Sequence, residues 1–160
     1  MNRRAWLLAP AAALLALSGC ASMSAPKNVV ATAASSPEFS TLAKLIGDAG
    51  LADTLAGAGP FTVFAPTNEA FAKLPAKTLA ELAADKERLR TVLTYHVLPG
   101  SVMAADVKPG NVKTVQGANI ALARAGSFVT VENAVVTSAD VKASNGVIHA
   151  IDAVLMPPAP

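Results

Sequence analysis

The chain has 160 residues, 52% of them apolar and 15% charged, with a mean hydropathy of +0.44. That length suits one compact domain, the composition lies far from that of disordered chains, and no stretch supplies the roughly 20 consecutive apolar residues of a bilayer-spanning helix. The formal charge of +2 includes Arg3 and Arg4, so from residue 20 onward 11 bases balance 11 acids, and the bases are spread singly from Lys27 to Lys142 without the concentrated basic face that a duplex-binding protein needs to neutralise phosphates. Nucleic acid is therefore not an expected partner. A lone cysteine, Cys20, and two histidines, His96 and His149, offer no metal-ligand spacing, and neither a metal nor a cofactor is expected.

The chain opens with a short basic head, Met1 to Arg4, and an apolar run from Ala5 to Leu17 that ends in small residues. This is the pattern of a secretory leader. Leu17-Ser18-Gly19-Cys20 resembles the lipobox of bacterial lipoproteins, which implies cleavage before Cys20 and a lipid on its sulfur. The expected organisation is a leader over 1–19, a lipidated Cys20 with its tether over 20–27, a folded domain over 28–157 and a short tail over 158–160. Two or more acyl chains hold a protein stably on a membrane where one holds it reversibly. Ala21 in place of an aspartate resembles the outer-membrane default, the alternative being a secreted or soluble periplasmic domain. The Ser/Ala/Pro tether to Lys27 spans on the order of 15 Å as a coil.

Ser36-Pro37-Glu38 predicts a helix start, with a serine cap and proline at the first helical position. Phe39, Leu42, Leu45, Ile46 and Ala49 then share one face, and Gly47 and Gly50 mark the exit. Phe61 to Ala65 reads as a buried strand, followed by a brief helix from Pro66-Thr67 through Phe71. Thr78 to Glu81 has the spacing of a capping box, and Asp85 starts another helix. On that helix Leu89, Val92, Leu93 and His96 stand at i, i+3, i+4 and i+7, which turns His96 toward the core. After Pro99-Gly100 the pattern becomes one of strands: Val112 to Val115, Ile120 to Ala123, Phe128 to Val131, Val135 to Val141, Val147 to Ile151 and Val154-Leu155. Gln116-Gly117, Ala125-Gly126 and Asn145-Gly146 are spaced as turns, Asn-Gly being a strong hairpin signal. Helices first and a mostly antiparallel sheet after them make an α+β domain.

Three segments resemble the fasciclin domain, a module of extracellular and cell-surface proteins. Gly59-Pro60-Phe61-Thr62-Val63-Phe64-Ala65-Pro66-Thr67-Asn68-Glu69-Ala70-Phe71 is similar to the family's first motif. Tyr95-His96-Val97-Leu98-Pro99-Gly100 is similar to its central Tyr-His segment. Asn145-Gly146-Val147-Ile148-His149-Ala150-Ile151-Asp152, with Val154-Leu155, is similar to its second motif. The resemblance covers about Asn28 to Pro157. It implies a wedge-shaped β-sandwich-like core with an N-terminal set of packed helices, and a role in adhesion or interaction outside the cytoplasm with a macromolecular partner, either matrix polysaccharide or a surface protein.

The residues offered as partner contacts are Tyr95 and His96. Tyr95 lies about 100° around the helix from His96, toward the flank, and is the better candidate for an exposed ring; His96 is the better candidate for a hydrogen-bonded core histidine. His149 and Asp152 form a weak catalytic pair on the final hairpin. An enzyme asks for a nucleophile beside a base, paired carboxylates or a phosphate-cradling glycine loop, none of which the sequence displays, so no activity is expected. The alternative reading is a carrier or sensor of an apolar ligand such as a carotenoid or lipid, in a groove lined by alanine-rich helices and Met103.

Overall fold

The computed structural model describes residues 27–158. The expected leader, Cys20 and the tether up to Pro26 lie outside the described residues, as do Ala159 and Pro160. Helix α1 (Val29–Ser35), which the pattern of apolar residues had not announced, begins where the Asn28 side chain accepts the amide of Ala31 at 2.8 Å. A single 3₁₀ turn, Pro37–Phe39, leads into α2 (Ser40–Asp48). Ser36 does not cap it, because its hydroxyl turns back to the Thr32 carbonyl. The cap comes instead from Asn68, whose Oδ1 accepts the amide of Thr41 from 27 residues away. Phe39, Leu42, Leu45, Ile46 and Ala49 are all buried as their spacing predicts. Gly47 lies inside α2, and the chain turns at Gly50, φ +66°.

After α3 (Ala52–Ala56) and strand β1 (Phe61–Pro66), Thr67 caps α4 (Asn68–Ala72). Helix α5 (Ala76–Ala84) begins two residues before Thr78, so the predicted capping box is not formed. Asp85 does cap α6 (Lys86–Tyr95), its carboxylate accepting the amides of Glu87 and Arg88. Six strands follow: β2 (Val97–Pro99), β3 (Gly110–Lys113), β4 (Asn119–Ala125), β5 (Phe128–Val131), β6 (Ala134–Ala143) and β7 (Gly146–Ile151). Strand β3 ends before Val115, because the amide and hydroxyl of Thr114 both turn onto the Ala118 carbonyl. Val154 and Leu155 are buried without forming a strand.

All seven strands form one sheet in the order β2-β1-β7-β6-β5-β4-β3. Only β1 and β7 run parallel, paired from Phe61 with Gly146 to Pro66 with Ile151. The pairing of β6 with β7 shifts register between Val136 and Ser138 and again before Val141, and Asp140 there takes φ +57°. Bulges of this kind bend a strand, and here the bend folds β5, β4 and β3 back over β1 and β7. The Val115 amide then donates to the Val97 carbonyl at 2.8 Å, so the chain beyond β3 meets β2 and the sheet nearly closes.

Two cores result because successive side chains of a strand point to opposite faces. Val63 and Ala65 of β1 with Ile148 and Ala150 of β7 pack beneath α2, α4 and α6, against Leu42, Ile46, Phe71, Leu89 and Leu93. Phe64, Ile151 and Leu98 face the other way, against Ile120, Leu122, Val129 and Val131. Fully burying each such aliphatic side chain contributes roughly 1.5–3 kcal/mol.

Candidate functional site

Both residues proposed as contacts are buried. His96 and Tyr95 are each 2% exposed, which corrects the expectation of a partly exposed Tyr95 ring. The reason is the curl of the sheet, which brings β4 and the β5–β6 turn over the flank of α6. The Tyr95 hydroxyl lies 3.2 Å from the Asn119 carbonyl and 3.4 Å from Glu132 Oε1. Glu132 sits at φ +55° in that turn, and the same oxygen accepts the Ala121 amide at 2.8 Å. Burial first, and then the adjacent Glu132 carboxylate, push the Tyr95 phenol above its ordinary value.

His96 stands just past the end of α6. Its Nδ1 lies 2.7 Å from the Val92 carbonyl, and its Nε2 receives the Leu155 amide at 2.9 Å. Those contacts assign the neutral ring with its proton on Nδ1, since Nδ1 must donate and Nε2 must accept. Burial lowers the pKa to about 4, against a smaller upward effect of the Val92 hydrogen bond. His96 therefore pins the C-terminal segment to the end of α6.

His149 is also 2% exposed and stacks on Phe64 at 5.6 Å between ring centroids. As the alternation predicts, it faces away from Ile148 and Ala150. Its Nε2 lies 2.8 Å from the Val102 carbonyl, and its Nδ1 accepts the Asp140 amide at 3.2 Å. Asp140 Oδ1 in turn accepts the Ala104 amide at 2.8 Å, and Thr62 Oγ1 donates to the Gly100 carbonyl while accepting the Val102 amide. Thr62, His149 and Asp140 thus fasten the segment that follows the Tyr-His motif.

The structure does not bring His149 and Asp152 together. Asp152 Oδ1 accepts the Val135 amide at 2.8 Å, and Lys73 Nζ reaches both its carboxylate and its carbonyl. The hydrogen bond from the Val135 amide, with support from Lys73, holds that carboxyl below its usual range against the opposing effect of burial. The acid beside His149 is Asp140, 4.0 Å from Nδ1. Among the described residues, the helix alanines Ala33, Ala49 and Ala70 are packed in the first core and line no groove there. Met103 lines an open cleft of about 620 Å³ with Pro60, Ser101, Lys142, Ser144 and Asn145. A smaller cleft of about 360 Å³ is lined by Glu38, Glu69, Asp152 and Thr137.

Asn145 was read as a turn residue, and its side chain does more. Its Oδ1 accepts the Val29 amide, its Nδ2 donates to the carbonyls of Leu55 and Gly57, and its own carbonyl accepts the Phe61 amide. Gly146, which lies in β7 without a positive φ, is needed for a different reason: a Cβ there would meet the Phe61 carbonyl oxygen at 2.0 Å. The Asn-Gly pair marks a hairpin, as expected, while its chemistry serves the contact with β1. Nothing in the sequence distinguished that role, because the side chain's partners lie 88 to 116 residues away.

Comparison with known proteins agrees with this architecture. The sequence model of one family, the fasciclin domain, matches residues 37–157. Protein sll1483 of Synechocystis is 48% identical over 132 residues, covering 81% of this chain and 73% of that protein. Immunogenic protein MPB70 of Mycobacterium bovis is 43% identical over 136 residues, covering 82% and 69%. The cell surface glycolipoprotein MPB83 of the same species is 45% identical, covering 81% of this chain and 61% of its own length. Among solved structures, a FAS1 domain pair from the insect cell adhesion molecule fasciclin I superposes with a TM-score of 0.64 at 19% identity, over 82% of this chain and 51% of that one.

Proposed function

Because this chain belongs to the fasciclin-domain family, we propose that it is a non-enzymatic adhesion and interaction module of the cell envelope, held at the outer membrane by a lipid on Cys20. The observation that carries this reading is the family match across nearly the whole described domain, together with relatives whose names place them at the cell surface or in cell adhesion. The partner is a matrix polysaccharide or a surface protein. Tyr95 and His96 serve that binding from within, by holding the chain segments around them in place, and contact falls to exposed residues nearby.

The geometry supports this division of labour. The segment from Gly100 to Ala104, fastened by Thr62, His149 and Asp140, presents Ser101 and Met103 at the rim of the 620 Å³ cleft, opposite Lys142 and Ser144. The test is attachment and aggregation of cells that carry a gene deletion, the wild-type protein, Cys20→Ser, or Met103→Asp with Lys142→Glu, each variant checked for folding by circular dichroism. Deletion is expected to abolish attachment, Cys20→Ser to release folded protein from the membrane fraction, and the cleft variant to weaken attachment at least several-fold. Unchanged attachment in the deletion strain rejects the adhesion reading, and unchanged membrane association of Cys20→Ser rejects the anchor.

A further inference from the structure

The fastening of the segment after β2 depends on one protonation state of His149. The ring is neutral with its proton on Nε2, because Nδ1 accepts the Asp140 amide and Nε2 must donate to the Val102 carbonyl. Asp140 occupies the β6 bulge, where the ladder with β7 is interrupted between Ser138 and Val141, and takes φ +57° there. That conformation is costly for most side chains and tolerated by aspartate. The residue works at both ends: its amide goes to His149, and its Oδ1 accepts the Ala104 amide at 2.8 Å. The Ala104 bond fixes the start of a single 3₁₀ turn, Ala104–Asp106, next to Met103 at the rim of the 620 Å³ cleft.

A second proton on the ring sets a donor against a donor. Nδ1–H would face the Asp140 N–H, and a buried cation needs an acceptor at each nitrogen. Around the ring, β1 offers Phe64, which stacks on it, and Thr62, whose hydroxyl is committed to Gly100 and Val102. The segment after β2 offers the Val102 carbonyl, already taken by Nε2. Among the described residues, the carboxylate within 4.0 Å of the ring is Asp140, on β6. Asp106 and Lys108 on the segment and Lys142 on β6 are exposed, and Arg124 of β4 is turned onto the carbonyls of Ala105 and Gly126. The Asp140 carboxylate is therefore the group that meets the new proton. Its Oδ1 stands 4.0 Å from Nδ1, too far to accept a hydrogen bond, and the residue's own amide lies nearer, so the Asp140 peptide must turn before the pair closes. That turn withdraws Oδ1 from Ala104.

We infer that His149 and Asp140 form an acid-operated latch: a proton on His149 Nδ1 draws the Asp140 carboxylate from the Ala104 amide to the ring and frees Met103 and the turn behind it. The rim of the cleft is then ordered at neutral pH and loosened in acid. The Thr62 bonds and the Nε2–H bond to Val102 survive, which confines the release to Met103–Asp106. The latch regulates the proposed contact surface and rests on that reading for its effect on attachment, whereas the release itself does not.

The full chain, purified in detergent and labelled at its two histidines, is followed by ring NMR and by amide hydrogen exchange from pH 7.5 to pH 5, a range in which His96, at about 4, stays largely neutral. After correction for the intrinsic pH dependence of exchange, the Ala104 amide is expected to exchange at least tenfold faster as the His149 ring takes up its proton, while the Val102 amide keeps its rate. His149→Gln, which retains a donor for Val102 and does not titrate, should give a flat profile. Asp140→Asn, which retains the Ala104 cap without the charge, should reduce the rise to less than threefold; circular dichroism checks the fold of both. The latch is overturned if the ring stays neutral down to pH 5, if Ala104 exchange does not follow the ring, or if Asp140→Asn shows the full rise. Attachment of cells is compared at the same two pH values, with a several-fold loss in acid expected for wild type and none for His149→Gln; equal loss in both overturns the regulatory role. A deletion strain that attaches as well as wild type rejects the adhesion reading and leaves the exchange result standing.

Discussion

The two faces of β1 and β7 are sealed by different means. Toward the helices lie Val63, Ala65, Ile148 and Ala150, and the packing there is wholly apolar. Toward the curled half of the sheet lie Thr62, Phe64, His149 and Ile151. Among the described residues the buried polar side chains are Thr62, His96, Thr114 and His149, and all four sit on this second side or at its seam. Each bonds irregular chain: Gly100 to Val102, Ala118 or Leu155. Helices and ladders satisfy their own backbone groups, whereas buried irregular segments need side chains to do so. The first side is therefore held by shape, and the second by shape together with hydrogen bonds.

The comparison can be broken most severely at the strand pair both sides share. Gly146→Ala places a Cβ against the Phe61 carbonyl, where only backbone could yield, and should cost more than about 3 kcal/mol or prevent folding; urea unfolding measures it, and a cost under 1 kcal/mol would refute the close approach. Ile148→Ala on the apolar side should cost roughly 3 kcal/mol, by the same amount at pH 7 and pH 5.

The second side should respond to acid. His96 has a pKa of about 4 in the fold, below the usual 6.5, so between those values the unfolded chain takes up a proton that the folded chain refuses. Its contribution is complete above pH 6.5 and is lost as pH falls toward 4, up to about 3 kcal/mol in all. Unfolding free energies across that window should show the slope in wild type and in Ile148→Ala, and a markedly smaller slope in His96→Leu; an identical slope in His96→Leu would sink the assignment. Thr62→Val should cost about 1–2 kcal/mol by leaving the Gly100 carbonyl and Val102 amide without their partner, with faster hydrogen exchange at Val102. The smallest effect belongs to the exposed Lys73–Asp152 pair, where Lys73→Ala should change stability by less than about 1 kcal/mol.

Much of this was legible in one dimension. The apolar face of α2, the inward turn of His96, the Asp85 cap and the alternation that sets His149 on the face opposite Ile148 and Ala150 follow from spacing alone, and the three fasciclin-like segments announced the fold. The errors share a cause. Ser36 looked like a cap, but Asn68 supplies the bond to Thr41 from a distant turn. Tyr95 looked like a flank residue, but β4 and the Glu132 turn arrive from elsewhere in the chain to cover it. His149 and Asp152 are near in sequence, but the chain leaves β7 between them, and each finds a different partner.

Periodicity and local capping chemistry are properties of a few neighbouring residues, so the sequence by itself determined most of the helices and strands and which face of each is apolar, while α1 and the irregular course of Val154-Leu155 escaped it. Which exposed-looking residue ends up beneath another strand depends on the bend at Asp140 and the closure from Val115 to Val97. Those are contacts between segments far apart in the chain, and no local pattern encodes them. Only the tertiary structure could therefore decide that Tyr95 is an internal pin, what His96 pins, and that Phe128 faces solvent.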